Sequence, residues 1–164
     1  MPGERERENG ADASPRGNRL ALAVQYAAPR KGLPARVRVE RWACATLPRS
    51  ADVTVRFVGA REGRALNRAF RARDYATNVL TFVYENRPRR RLAGDLVLCV
   101  PVIAREAREQ GKSLDAHFAH LVVHGGLHLA GYDHEREADA RRMEALERRI
   151  LARLGYPDPY LRDA

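Results

Sequence analysis

The hydrophobic residues of this chain follow a two-residue period in some segments and a helical period in others, and the order of these segments limits the possible folds. Val53, Val55 and Phe57 alternate with polar residues, which is typical of a half-buried strand. Short apolar runs predict three further strands, which span residues 20–26, 79–84 and 95–100. The chain is therefore expected to contain four strands.

Helical spacing predicts five helices, two between strands and three after the last strand. The first covers residues 34–47, and the second, a short helix, carries Leu66, Ala69 and Phe70 on its buried stripe. The three helices after Pro101 cover about residues 102–110, 114–130 and 135–154. The stripe that we expect the last helix to bury in the core consists of Met143, Leu146, Ile150 and Leu154.

Strands interleaved with helices, followed by a helical C-terminal part, predict an α/β or α+β domain with a single mixed sheet packed against helices. A chain of 164 residues can bury a core without help from a metal or disulfides. Residues 1–18 hold almost no large apolar side chain and are predicted to form a flexible tail. Residues 19–164 are then the single domain.

Three histidines near the C-terminus have a spacing that favours metal binding. His124 and His128 are four residues apart, so they share one face of the predicted helix. Gly131 tolerates a positive φ, so it can end the helix and turn the chain until His134 approaches the other two. Three neutral imidazoles with one free coordination position are typical of catalytic zinc sites. We predict one Zn2+ ion per chain, although nickel, copper and iron also bind imidazole.

The spacing of these histidines equals that of metzincin proteases, H-E-x-x-H-x-x-G-x-x-H, except at one position. Gly125 stands where those enzymes carry the glutamate that acts as general base. An ordinary peptidase mechanism therefore lacks its central acid/base group, but a metal can still activate water for hydrolysis. His117 and His120 lie on the same side of this helix, and we interpret them as neighbours of the site or surface residues because a fourth ligand would fill the open position.

The charge of the chain favours polyanionic partners. Lys and Arg total 30 against 21 for Asp and Glu, which leaves RNA, DNA and anionic membrane surfaces open, alongside a basic protein with no such partner. No apolar run approaches the roughly 18 residues needed to span a bilayer, and no signal-like segment is visible. Cys44 and Cys99 lack paired spacing and are expected to be small buried hydrophobes. These features predict a cytoplasmic protein.

The segment HGGLHLAGYDH, residues 124–134, resembles the hallmark H-G-x-L-H-L-x-G-Y-D-H of the YbeY family, the bacterial endoribonucleases of ribosomal RNA maturation. The resemblance extends to LNRAFR, TNVLTF, GDLVLC and LGY, which start at residues 66, 77, 94 and 154, so it covers about residues 20–160. The family's usual P-T-D-V-L-S-F is ATNVLTF here, from residue 76.

This resemblance implies a zincin-like fold, a zinc ion held by the three histidines, and cleavage of single-stranded RNA. It further implies late maturation of the 16S rRNA 3′ end, ribosome quality control and association with the small ribosomal subunit, with no membrane and no small-molecule cofactor beyond the metal. It also implies a functional arginine at Arg71. A guanidinium there would stabilise the negative charge that develops during phosphodiester cleavage.

Two further groups are candidate site residues, each with an ordinary structural alternative. Asp133 adjoins His134 and could orient an imidazole or accept a proton, or it could cap the helix predicted to start near residue 135. The basic loop between the last two strands could contact RNA phosphates, or it could be a solvated turn. Its arginines are Arg87, Arg89, Arg90 and Arg91.

The leading hypothesis is a zinc-dependent endoribonuclease. The main alternative is a non-catalytic, metal-stabilised ribosome assembly factor that binds rRNA. A hydrolase acting on small molecules or peptides is favoured less, because Gly125 supplies no base and the charge favours polyanions.

Overall fold

The computed structural model describes residues 19–161, so the predicted N-terminal tail lies outside the described residues. The described part contains four strands and five helices, in the predicted order. The strands are β1 (Leu20–Ala27), β2 (Ala51–Val58), β3 (Val79–Glu85) and β4 (Leu92–Cys99). The helices are α1 (Arg36–Thr46), α2 (Ala60–Arg71), α3 (Val100–Glu109), α4 (Leu114–Leu129) and α5 (Glu137–Leu154).

The strands form one mixed sheet in the order β1-β2-β4-β3, which confirms the predicted fold class. The β1–β2 and β2–β4 pairs are parallel, whereas β3 runs antiparallel to β4 and forms an edge of the sheet. Strand β4 starts at Leu92, earlier than predicted, because Leu92, Ala93 and Gly94 already pair with β2. Alanine and glycine have low strand propensity, so their pairing was not visible in the sequence.

The main core lies between one face of the sheet and helices α1, α4 and α5. Its largest buried side chains include Trp42, Phe57, Leu96, Phe118 and Met143. A smaller cluster lies on the other face of the sheet. There, strand side chains that point away from the main core meet α2 and the start of α3. Within residues 19–161, no helix combines the length and the apolar character needed to cross a membrane.

Three residues expected in the core are exposed, and two of them, Ala69 and Phe70, belong to the stripe predicted for α2. Phe70 is 66% exposed, and its ring contacts Phe82 of the edge strand β3. Helix α2 instead faces the sheet with Gly63 and Asn67, because a Cβ at Gly63 would lie 2.9 Å from the Cys99 sulfur and only glycine permits this approach.

The two cysteines differ in burial. Cys99 is buried, as predicted, whereas Cys44 is exposed. Helix α1 buries Val39, Trp42 and Ala43, and the next residue is rotated about 100° away from that stripe toward solvent.

Candidate metal centre

Helix α4 carries two of the three predicted ligands and is held between the sheet and α1. A Cβ added to Gly125 would lie 2.8 Å from Cδ2 of Leu96, and one added to Gly126 would lie 2.8 Å from Cγ2 of Thr46. Both glycines therefore allow close packing, one against the sheet and the other against α1. The remaining side of the helix presents the half-buried histidines of the motif.

At the C-terminal end of α4 the chain turns, as we predicted from the position of Gly131. Gly131 has a φ of +105°, which confirms the predicted left-handed conformation. Its N–H donates to the carbonyl of His128, and the N–H of Tyr132 donates to the carbonyl of Leu127, both at 3.0 Å. This pair of bonds is the Schellman ending of a helix. It reverses the chain and brings His134 back beside α4.

The three histidines converge. The ring centroids of His124 and His128 are 4.8 Å apart, those of His128 and His134 are 4.8 Å apart, and those of His124 and His134 are 5.6 Å apart. One potential ligand atom from each ring lies within 4.8 Å of the others, and within residues 19–161 no fourth His, Cys, Asp or Glu joins this group.

The donor set fits a zinc ion. Two nitrogens on one tetrahedral zinc ion lie roughly 3.3 Å apart, and the candidate ligand atoms of the three rings lie within 4.8 Å of one another. Burial lowers the pKa of His128, and the neighbouring His124 and His134 lower it further. The neutral imidazole, which is the form that binds metals, is thereby favoured.

Sequence reasoning missed Glu147, which lies directly behind the three histidines. This α5 residue is fully buried, and its carboxylate accepts hydrogen bonds from Nδ1 of His124 at 2.5 Å and Nε2 of His120 at 3.1 Å. It also accepts one from the hydroxyl of Tyr160. Burial raises the pKa of Glu147, but the hydrogen bonds from His120 and His124 outweigh it and hold the pKa below its ordinary value. The three donors thus favour the ionised form of the carboxylate.

His120, His124 and Glu147 are themselves close enough to suggest a second metal group. Their contacts of 2.5 and 3.1 Å are direct hydrogen bonds, shorter than the roughly 3.3 Å between two ligands of one zinc ion. These hydrogen bonds connect Glu147 to both His120 and His124, so the cluster shares His124 with the three-histidine group.

Glu147 could have been found from its place in the sequence. It lies four residues after Met143 and four before Leu151, and both are buried. A carboxylate in the middle of an apolar helical stripe needs a partner inside the protein. Four residues of the stripe were predicted, and all of them pack in or against the core.

The structure also describes the other two α4 histidines. His120 donates to Glu147, and buried His117 bonds through Nε2 to Glu106 of α3 at 3.1 Å. These contacts support the interpretation of both histidines as residues near the site and not as ligands.

Arg71 and Asp133 have exposed side chains. Arg71 lies in the last turn of α2 and has no hydrogen bond or ion pair from its guanidinium within residues 19–161. Asp133 accepts the N–H of Glu135 at 3.2 Å. The helix-capping alternative for Asp133 is wrong, because α5 starts at Glu137 with Arg136 as its N-cap. Asp133 instead closes a short Asx-type turn.

The basic loop divides into two pairs of arginines. Arg87 pairs with Glu85 at 2.6 Å, and Arg91 pairs at 2.7 Å with a carboxylate of β2. Arg91 also donates to backbone carbonyls at the start of β1 and β2 and thus ties these strands together. Arg89 and Arg90 are exposed, and within the described chain their side chains make no ion pair.

Fold and site together define a small α/β protein with a three-histidine candidate metal centre on one helix and the turn that follows it. The family model described as Endoribonuclease YbeY matches residues 37–155, and the chain belongs to this family.

Several curated relatives resemble the chain over most of its length. An Endoribonuclease YbeY from Aromatoleum aromaticum is 60% identical over 92% of this chain and 98% of its own. A protein of the same name from Burkholderia pseudomallei is 57% identical over 91% of this chain and 84% of its own. Another, from Stenotrophomonas maltophilia, is 56% identical over 87% of this chain and 94% of its own. The solution structure of TM1509 from Thermotoga maritima shares 23% identity with a TM-score of 0.48, over 86% of this chain and 99% of that one.

Proposed function

We propose that this protein is a zinc-dependent endoribonuclease that hydrolyses phosphodiester bonds of single-stranded RNA. The observation that carries the proposal is the convergence of His124, His128 and His134, with no fourth protein ligand within residues 19–161. The name Endoribonuclease YbeY of relatives 56–60% identical to the chain supports RNA as the substrate.

Each group of the candidate centre has a separate task in this proposal. When bound, zinc supplies Lewis acidity, which polarises a phosphoryl oxygen and makes water easier to deprotonate at neutral pH. Arg71, whose guanidinium has no partner in the described chain, binds phosphoryl oxygens and stabilises their charge. Asp133 uses one carboxylate oxygen in its turn and offers the other to accept a proton from the attacking hydroxyl.

The proposed biological role is late maturation of the 16S rRNA 3′ end and ribosome quality control in the cytoplasm. Its partners are rRNA and the small ribosomal subunit, and Arg89 and Arg90 of the basic loop hold the RNA backbone through its phosphates. Family membership and the net charge of +9 support this role.

The test compares wild-type protein with His128→Ala, and with His117→Asn as a control that changes an imidazole of the same helix outside the group. Metal content, thermal unfolding and cleavage of unstructured and duplex RNA are measured with and without chelator. We expect zinc and single-strand cleavage to be lost only in His128→Ala and after chelation. A His128→Ala protein that joins ribosomes and yields normal 16S rRNA ends would support the non-catalytic assembly factor instead.

A further inference from the structure

We propose that Glu147 is a positioning residue of the candidate metal centre, and that Tyr160 from the C-terminal segment holds it in place. This inference rests on the proposed function, because it concerns how His124 is prepared to bind the metal ion.

Glu147 lies in an apolar environment. Its side chain is fully buried, between the apolar residues Met143 and Leu151 of the same helix face. Burial of an ionised carboxylate costs several kcal/mol unless hydrogen bonds compensate it, and well-packed apolar side chains often stabilise such a position as well or better. A carboxylate at this position is therefore better explained by the residues it orients than by the stability of the core.

Glu147 sets the tautomer and the orientation of the His124 ring. The Glu147 carboxylate already serves as acceptor for His120 and for the Tyr160 hydroxyl, so Nδ1 of His124 carries the proton in its 2.5 Å contact with this group. In the neutral ring this leaves the lone pair on Nε2, the only nitrogen that can then bind a cation. The hydrogen bond also limits rotation of the ring about its side-chain torsions. Metal-binding histidines commonly use such a carboxylate to set both tautomer and orientation.

The segment after α5 is held in place by several polar contacts. The carboxylate of Asp158 pairs with Arg148 at 3.0 Å and accepts the N–H of Tyr160 at 2.8 Å. Lys112 donates to the carbonyl of the residue before Tyr160 at 2.8 Å. These contacts anchor the segment, so the Tyr160 hydroxyl can donate to Glu147.

Tyr160 completes the set of donors around the carboxylate, with its ring against His120 at a centroid distance of 5.4 Å. Burial and the bond to Glu147 raise the pKa of Tyr160, so the phenol keeps its proton and remains a donor. Tyr160 lies beyond residues 37–155, the part matched by the family model. The C-terminal segment is thus assigned to the candidate centre although it lies outside the matched region.

The experiment measures zinc affinity of the metal-free full-length protein by competition with a chromophoric chelator. Glu147→Gln preserves the shape but turns an amide N–H₂ toward the donors. We expect it to weaken zinc binding about 10- to 100-fold. Tyr160→Phe removes one donor and should weaken binding less, in the same direction. Glu106→Gln is the matched control, because Glu106 bonds to a histidine of the same helix outside the group, and its zinc affinity should be unchanged.

Thermal unfolding of each metal-free variant separates positioning from stability. A purely structural role predicts a lower unfolding temperature with wild-type zinc affinity in the folded protein, and this result would overturn the inference. If Glu147→Gln does not fold, wild-type affinity in Tyr160→Phe would overturn the role of the segment, and weaker affinity would support it. Failure of the wild-type protein to bind zinc would instead refute the proposed function and this inference with it.

Discussion

Arg71 is the residue whose proposed role depends least on its protein neighbours. Within residues 19–161 its guanidinium has no ion pair, so its five N–H donors can face a ligand. Glu147 is the opposite case, because three protein donors surround its carboxylate. One side chain is suited to bind substrate, and the other is suited to orient a ligand.

The first prediction concerns Arg71→Ala. We expect zinc content and unfolding temperature to stay at wild-type values, while RNA cleavage falls about 10²- to 10³-fold, because a charge-stabilising group is lost from the transition state. Single-turnover cleavage and metal analysis measure both effects. Arg61→Ala, which removes an exposed arginine from the same helix, is the control. Full activity of Arg71→Ala with zinc bound would remove Arg71 from the mechanism.

At the scale of elements, helix α4 is positioned by close contacts on two sides. The Gly125 side touches Leu96 of β4 as well as Val79 and Thr81 of the edge strand β3. This packing explains why a small residue stands at the position of the protease glutamate. A longer side chain would push the helix that carries His124 and His128 away from the sheet.

The second prediction concerns Gly125→Ala. Leu96 is fully buried and cannot move aside easily, so we expect destabilisation of about 1–3 kcal/mol from overpacking. Chemical denaturation measures this free energy of unfolding. At an open helical position the same change stabilises a protein by about 1 kcal/mol. An increase in stability would therefore show that α4 does not depend on this close contact.

The third prediction concerns the loop between β3 and β4. Arg89 and Arg90 have no ion pair in the described chain, so Arg89→Ala/Arg90→Ala should weaken RNA binding across sequences. We expect the negative slope of log affinity against log salt to become shallower by about 1.4, since two phosphate contacts are lost and each contributes about 0.7 on a single strand. Binding titrations at several salt concentrations measure the slope.

The comparison variant for this loop is Arg91→Ala. In the wild-type protein the Arg91 guanidinium bonds to a carboxylate of β2 and to backbone carbonyls, so its removal should mainly lower the free energy of unfolding. A salt slope unchanged in the double variant would leave the loop as a solvated turn.

At the scale of the whole molecule, the three candidate ligands lie outside the apolar core, and buried Glu147 connects them to it. The main core is built from apolar side chains of the sheet and of helices α1, α4 and α5, whereas His124 and His128 are half-buried and His134 is exposed. A domain of this size buries enough apolar surface to fold by itself. The metal is therefore expected to serve chemistry more than folding.

The fourth prediction concerns metal removal. Chelation should abolish RNA cleavage while the far-UV circular dichroism spectrum stays unchanged. The unfolding temperature should fall only as far as the loss of the ion's binding free energy requires. That loss is about 2.7 kcal/mol at a zinc concentration 100 times the dissociation constant. Added zinc should restore cleavage. Unfolding on chelation, as in zinc fingers, would instead indicate a structural metal.

The sequence by itself determined the properties that depend on neighbours along the chain. The period of apolar residues predicted strands and helices, the four-residue spacing placed His124 and His128 on one helix face, and Gly131 predicted the turn. These are local preferences of the backbone, so a single sequence carries them.

Only the tertiary structure decided which distant residues meet. Glu147 reaches His124 across 23 residues, because α5 folds back along α4, and Phe70 is exposed because Gly63 turns another face of α2 to the sheet. Likewise, Arg91 forms an ion pair with β2, although in the sequence it is only one of four arginines of the basic loop. Such contacts depend on how the elements pack against each other, and the spacing of residues within one element does not specify that packing.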